Sequence, residues 1–158
     1  LRYDAEAGKM YWRVNQSMKA RVGASAGTLS RGRWSIGING SKYNAYRIAW
    51  LIYYGSWPSG DIDHINGDPT DNRICNLRDA TKTQNHANSK IYKNNKCGVK
   101  GVHIHRETGK FRASVRMNRK NIHIGLFDTA EEAGAAYLAK AKQLFGAFAT
   151  DGKRGVVS

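Results

Sequence analysis

From Asp61 to Arg78 the chain reads Asp-Ile-Asp-His-Ile-Asn-Gly-Asp-Pro-Thr-Asp-Asn-Arg-Ile-Cys-Asn-Leu-Arg, and it continues to Gln84-Asn85-His86. Acids, a histidine and several asparagines crowd a short segment with almost no apolar filling, so packing alone does not account for it. Local signals nevertheless give it a shape. Ile62 to Ile65 is a short strand, and Asn66-Gly67 is the strongest two-residue turn signal in the segment. Arg73 to Leu77 is expected to return as a second strand. Thr81 to Ser89 follows as a polar helix with Thr81 as its N-cap. A strand, loop, strand and helix in this order would bring Asp63, His64, Asn76 and Asn85 within reach of one another.

That set has a chemical use. A histidine of near-neutral pKa can take a proton from water. A carboxylate and an amide oxygen are hard ligands suited to Mg²⁺ or Mn²⁺ and not to zinc. The run Asp63-His64-Ile65-Asn66-Gly67-Asp68, with Asp71-Asn72-Arg73, Asn76-Leu77-Arg78 and Gln84-Asn85, resembles the HNH nucleases of phage and intron-encoded type. The resemblance implies a ββα-metal fold in which His64 is the general base and Asp63 and Asn85 hold one divalent cation. It also implies that Asn76 orients the His64 ring through a hydrogen bond. His86 is an alternative ligand, but adjacent helix positions point about 100° apart, which ranks Asn85 first.

Charge decides the partner class. Among 158 residues there are 26 Lys and Arg against 12 Asp and Glu, a formal charge of +14. The basic residues are spread along the chain, and no basic amphipathic anchor accompanies them. This favours nucleic acid over membrane. Mean hydropathy is −0.61, no apolar run approaches a bilayer's thickness, and nothing resembles a signal peptide. Cys75 and Cys97 form no CxxC pair. A zinc knuckle is therefore unsupported, and a reducing compartment, the cytoplasm of the host cell of a phage or mobile element, is the expectation. The chain opens on Leu1, not an initiator methionine, and the sequence does not say whether residues precede it.

Residues 1 to 45 read as small β structure. Lys9 to Val14 is a strand, and Trp34, Ile36 and Ile38 alternate before Asn39-Gly40 turns the chain into Lys42 to Ala45. Arg47 to Tyr54 places Ile48, Ala49, Leu51 and Ile52 at helical spacing, with Gly55 ending it. Arg31, Arg33 and Lys42 at the hairpin tip fit a phosphate contact and a solvated basic loop equally well. Residues 91 to 97 carry polar turn formers without apolar period and read as a basic linker.

Beyond the linker the period becomes strictly alternating. Gly101 to His105 is a strand with Val102 and Ile104 inside. Lys110 to Met117 puts Phe111, Ala113, Val115 and Met117 on one face and Lys110, Arg112, Ser114 and Arg116 on the other. Asn118-Arg119-Lys120 turns the chain, and Asn121 to Gly125 is a third strand with Ile122 and Ile124 inside. Thr129 to Glu132 is a capping box opening a helix to about Gly146, whose apolar stripe comprises Ala133, Ala136, Tyr137, Ala141 and Leu144. Residues 98 to 150 resemble the plant ethylene-response-factor (Apetala-type) DNA-binding domain, on Val99-Lys100-Gly101-Val102, Gly109-Lys110-Phe111, Ile124 to Thr129 and Glu131-Glu132-Ala133 with Ala136-Tyr137. The resemblance implies a sheet lying in the major groove, with contacts falling on Lys100, His103, His105, Ser114, Arg116, Asn121 and His123. The family has arginine where His103 and His105 stand and tryptophan at His123, so its DNA sequence preference does not carry over. Arg112 shares the open face, and Lys110, Arg119 and Lys120 lie at turns where phosphates would be met.

The expected fold class is α+β: an HNH domain of the ββα-metal kind over residues 1–90, the 91–97 linker, a three-stranded antiparallel sheet packed on one helix over 98–150, and a tail of 151–158. The expected function is a site-directed DNA endonuclease acting as a monomer on double-stranded DNA, with Arg73 and Arg78 on flanking phosphates. A DNA-binding regulator or packaging protein with an inactive HNH core is the alternative. An RNA-binding protein fits the charge, but single-stranded RNA readers expose aromatics on the sheet. Here Phe111 alone is aromatic in the three strands, and it alternates inward.

Overall fold

The computed structural model describes residues 1–18 and 20–153. Of the expected 151–158 tail, residues 154–158 lie outside the described residues. The fold mixes α and β, with small antiparallel sheets and three helices. Two compact units are formed, Leu1–Ala80 and Thr81–Ser158.

In the first unit, β1 (Arg2–Asp4) and β2 (Lys9–Tyr11) form a hairpin. A second sheet runs in the order β3 (Thr28–Ser30), β4 (Arg33–Ile38), β5 (Ser41–Asn44). The Asn39-Gly40 turn joins β4 to β5 with both residues at positive φ, the geometry that matches strand twist. Helix α1 (Ala45–Tyr54) follows at once and ends on Gly55, whose left-handed conformation lets its N–H reach the Leu51 carbonyl. Strands β6 (Asp61–His64) and β7 (Leu77–Ala80) complete the unit.

The core joins all these pieces. Met10, Ile36, Ile48, Ala49, Ile62 and Leu77 are buried together, with Tyr3, Trp12, Trp34, Trp50 and Ile74 packed around them. The expected return strand over Arg73 to Leu77 is displaced toward the C-terminus. Ile74–Asn76 is a turn of 3₁₀-helix, and pairing starts only at Leu77. The reason is local: the Asn76 side chain is taken up by the preceding loop, which holds residues 74–76 in a tight turn.

In the second unit, α2 (Lys82–Ala87) carries the capping box of Thr81 with Gln84. Strands β8 (Val102–Ile104), β9 (Phe111–Met117) and β10 (Lys120–Phe127) form an antiparallel sheet with β9 in the middle. Helix α3 (Ala130–Phe145) starts on the capping box of Thr129 with Glu132 and buries Ala133, Tyr137, Ala141 and Phe145 against Val102, Ala113 and Val115. Gly101 is required here. Its φ is +72°, and a Cβ would stand 2.1 Å from the Tyr137 ring. Ile104 was expected inside with Val102, but it lies at the strand end and is 53% exposed.

The division of the chain by packing differs from the division read in the sequence. Ala87 of α2 is buried in the same cluster as Val102 and Tyr137, so α2 groups with the sheet and α3. Lys100, expected at the DNA, is itself buried. Its Nζ donates to the Ala87 and Ser89 carbonyls at 2.5 and 2.6 Å. A cation on the last carbonyls of a helix satisfies orphan acceptors and complements the helix dipole.

One half-buried carboxylate fixes the entry into β6. Asp79 accepts hydrogen bonds from the Ser59 N–H and hydroxyl and from the Gly60 N–H. These bonds, the Ser59 hydroxyl foremost, hold its pKa below the ordinary carboxylate value. A lowered folded pKa contributes stability above the unfolded value of about 3.9, and this is lost as pH falls through the folded value. Asp79→Ala is therefore expected to lower the melting temperature at neutral pH by roughly 4–8 °C, the equivalent of about 1 kcal/mol for these exposed bonds. The difference from the wild type should begin to narrow below about pH 4 and close as pH falls through the lowered folded value; thermal melts across pH check both statements, and a gap that stays constant into acid contradicts them.

Candidate active site

Alternation along β6 places Ile62 and His64 on one face and Asp61 and Asp63 on the other. His64 pairs with Leu77 in register, and Asp63 with Arg78. His64 thus enters the core beside Ile62 and is only 8% exposed. The Tyr46 ring of α1 meets it edge-on, centroids 5.3 Å apart. Burial pushes the His64 pKa below its ordinary value, and the positive charge of Arg33 acts in the same direction. The Asn72 hydrogen bond and the carboxylates of Asp63 and Asp68 oppose the shift without overcoming it. The ring is neutral at physiological pH, as a proton acceptor must be.

The residue that orients His64 is Asn72. Its Oδ1 lies 3.1 Å from Nε2 of His64, and Asn72 is 3% exposed. An amide oxygen only accepts, so Nε2 carries the proton and the basic lone pair falls on Nδ1. Asn72 is in turn held by the N-terminal hairpin. Its carbonyl accepts from the Tyr3 hydroxyl at 2.7 Å, and the Ile74 N–H next to it donates to the Ala5 carbonyl. Gly8, at φ +66°, lies so close that a Cβ would meet Arg73 N at 2.5 Å. A hairpin far away in sequence thereby sets the angle of an imidazole.

Asn76, expected to orient the ring, has a different task. Its Nδ2 donates to Asn66 Oδ1 and to the Asp71 carbonyl, and its Oδ1 accepts from the Asn66 N–H. These bonds close the loop between β6 and β7 across its base. Within the loop, Asn66 Nδ2 reaches Asp71, and Asp68 accepts from the Thr70 N–H and hydroxyl. Hydrogen bonding from Arg73 to Asp71, and from Thr70 to Asp68, lowers both acids' pKa values. The segment is thus a network of satisfied polar groups, which is how a polar stretch survives beside a core.

Asp63 is 4% exposed, and its Oδ2 receives both Nε and Nη2 of Arg78, each at 2.8 Å. Arg78, expected on a flanking phosphate, is therefore engaged with the carboxylate across the strand pair. Arg73 forms a two-pronged pair with Asp71, at 2.8 and 2.7 Å, on the surface. Asn85 lies on α2 in the second unit, half-buried. Among the described residues no group of three or more His, Cys, Asp or Glu gathers as a metal cluster. A carboxylate and an amide oxygen still match the donor chemistry of a hard cation that keeps most of its waters.

In the second unit the strands carry the expected open face. Register sets His103 beside Arg112, Ser114 beside His123, and Arg116 beside Asn121, with all but the half-buried Ser114 exposed. His105 lies past the end of β8, where Nδ1 meets the Thr108 hydroxyl at 3.0 Å. Lys110 pairs with Asp128 at 2.9 Å, and Arg119 and Lys120 are exposed at the hairpin turn. No helix among the described residues is long and apolar enough to cross a membrane.

Comparison with known proteins bears on this geometry. The profile of the HNH endonuclease family matches residues 43–87, which span α1, β6, β7 and α2. A protein of Acanthamoeba polyphaga mimivirus, "Uncharacterized HNH endonuclease L560", is 33% identical over 134 residues, covering 79% of this chain and 69% of that protein. "Protein 3.8" of Escherichia phage T7 is 33% identical over 101 residues, covering 63% of this chain and 83% of the phage protein. No solved structure matches at the same stringency.

Asn72 carried no sequence signal that set it apart from Asn76, because its place beside His64 is fixed by the N-terminal hairpin. The role itself is testable without any assay of activity. Long-range ¹H–¹⁵N spectra of the imidazole should report the Nε2–H form in the wild type and a mixture of tautomers in Asn72→Ala. A wild-type ring protonated on Nδ1 alone would contradict the assignment.

Proposed function

Since the chain belongs to the HNH endonuclease family, we propose that it hydrolyses phosphodiester bonds of double-stranded DNA with His64 as general base. The observation that carries this reading is the buried, neutral His64 held by Asn72 in the tautomer that leaves Nδ1 basic. His64 Nδ1 takes a proton from a water as its oxygen attacks phosphorus. The bond from phosphorus to the 3′ oxygen breaks, the attacking oxygen remains on the phosphate, and the 3′ oxygen takes up a proton from solvent. Asp63 is the residue beside His64 that would hold a divalent cation, Mg²⁺ or Mn²⁺, which supplies charge for the phosphate and the departing oxygen when bound. Arg78 positions the Asp63 carboxylate, and Asn76 keeps the loop beside His64 closed.

The second unit supplies the DNA-reading surface in this proposal, as its resemblance to the ethylene-response-factor type implies. An exposed sheet face of His103, Arg112, Arg116, Asn121 and His123 over a covered face suits a major groove. One active site per chain favours nicking, or sequential cutting, over a concerted double break.

A DNA-binding protein with an inactive core is the second reading, and the observation on its side is the Asp63–Arg78 ion pair, which neutralises the proposed ligand. Plasmid cleavage separates the two. Wild type should cut with Mg²⁺ and stop on chelation with EDTA, and His64→Ala should lose about 10²–10⁴ in single-turnover rate while binding DNA as before. Cutting in EDTA, or wild-type cutting by His64→Ala, would sink the mechanism.

For the reading face, Arg112→Ala is expected to relax sequence preference at one position, by ~1–3 kcal/mol of discrimination. Lys120→Ala should weaken binding on all sequences alike and flatten its salt dependence. Selection of bound sequences from a random pool measures both; an unchanged preference in Arg112→Ala removes that residue from the reading surface.

A further inference from the structure

The second unit contains a cleft that neither the nuclease motif nor the sheet's central face accounts for. It is open, and it is lined by Lys82, Thr83 and His86 of α2 and by Arg116, Asn118 and Arg119 of the β9–β10 hairpin. Lys82 and His86 are one helical turn apart, so they share a face of α2. No carboxylate is among the lining residues. Three permanent or nearly permanent cations face one opening, a mutual repulsion that an anion would relieve. The same surroundings make His86 a poor metal ligand, because a divalent cation would join like charges. Its ring lies instead 3.2 Å from the Tyr92 hydroxyl.

A second, independent observation points to the same place. Among the described residues, three two-residue hairpin turns have both central residues at positive φ: Arg31-Gly32, Asn39-Gly40 and Asn118-Arg119. In the first two, glycine occupies the second position, where it adopts this backbone without a steric penalty. In the third, Arg119 takes it at φ +67°. A long cationic side chain held in left-handed backbone at a cleft is local strain of the kind that persists where the side chain is used. The cleft is also built to be stiff on its other side. Ala87 is buried in the unit's core, and Lys100 ties the Ala87 and Ser89 carbonyls.

We infer that the cleft between α2 and the β9–β10 turn is a phosphodiester-binding site, in which Lys82 and Arg119 converge on a backbone phosphate of bound duplex DNA, beside the edge of the reading face that Arg116 marks. This rests on the DNA-directed reading above but not on cleavage. Its consequence is that the helix carrying Asn85 and the reading sheet grip the same DNA backbone as one rigid piece of the second unit. Contacts of this class set register and orientation and carry no sequence information.

The strain makes the test sharp, because the substitution that removes the contact also relieves the turn. Arg119→Gly in the full chain is expected to raise the melting temperature by about 2–4 °C. Binding to a short mixed-sequence duplex, read by fluorescence anisotropy in EDTA so that no cutting occurs, should weaken about 3–10-fold with the log–log salt slope reduced by about 1. Lys82→Ala should lower affinity and slope similarly without the thermal gain. Lys142→Ala, on α3 at the covered side of the sheet, removes the same unit of charge away from the cleft and should change little. Equal losses in Lys142→Ala and Arg119→Gly would show a general charge effect and overturn the site. So would an unchanged slope in Arg119→Gly, or calorimetric binding of inorganic phosphate lost in Arg119→Gly while duplex affinity is kept. Because binding is measured in EDTA, a protein that fails to cut still tests the cleft.

Discussion

Everything in the first unit is arranged around putting two polar side chains of one four-residue strand out of reach of water. Asp63 and His64 are adjacent on β6, point to opposite faces, and are both nearly inaccessible. A carboxylate and an imidazole cannot be buried without partners, since each unpaired polar group costs more than a hydrogen bond returns. Asp63 is answered across the strand pair by Arg78, and His64 by Asn72. The loop network of Asn66, Asp68, Asp71 and Asn76, and the hairpin that seats Tyr3 and Gly8 against Asn72, exist to keep those two partners in place.

The energetic consequence is that stability and reactivity are the same set of contacts. Desolvation, which holds the His64 pKa down, comes from the packing that makes Ile62 and Leu77 core residues. Removing the hairpin's hold on Asn72 would leave the core mostly intact yet free the imidazole to change tautomer. In the second unit the trade runs the other way. There Arg119 accepts left-handed backbone at the rim of a basic cleft, and a more stable turn would contain glycine.

Much of the fold was legible because its signals are local. Asn39-Gly40, the capping boxes at Thr81 and Thr129, the Gly55 stop and the alternation of Phe111 to Met117 each act within a few residues, and each appears where the pattern placed it. Where the reading slipped, a non-local contact was responsible. Arg73 to Leu77 looks like a strand until the Asn76 amide is spent on the loop before it. Lys100 looks like a DNA contact until its amine is found on the end of α2. Arg78 looks like a phosphate ligand until its partner across the strands proves to be Asp63.

What the residues by themselves determined is the chemistry available: a histidine beside a carboxylate in a polar loop, hard oxygen donors, a basic alternating sheet, and the helices and turns that punctuate them. Which of those groups meet was decided only by tertiary structure. Two asparagines, Asn72 and Asn76, follow His64 in the same loop region and have identical side chains. The hairpin from residues 2 to 11 supports Asn72 by its backbone and turns its amide to the imidazole, while Asn76 closes the loop. The choice between them depends on a strand 69 residues upstream, because side-chain orientation in a buried site is set by whatever packs behind it.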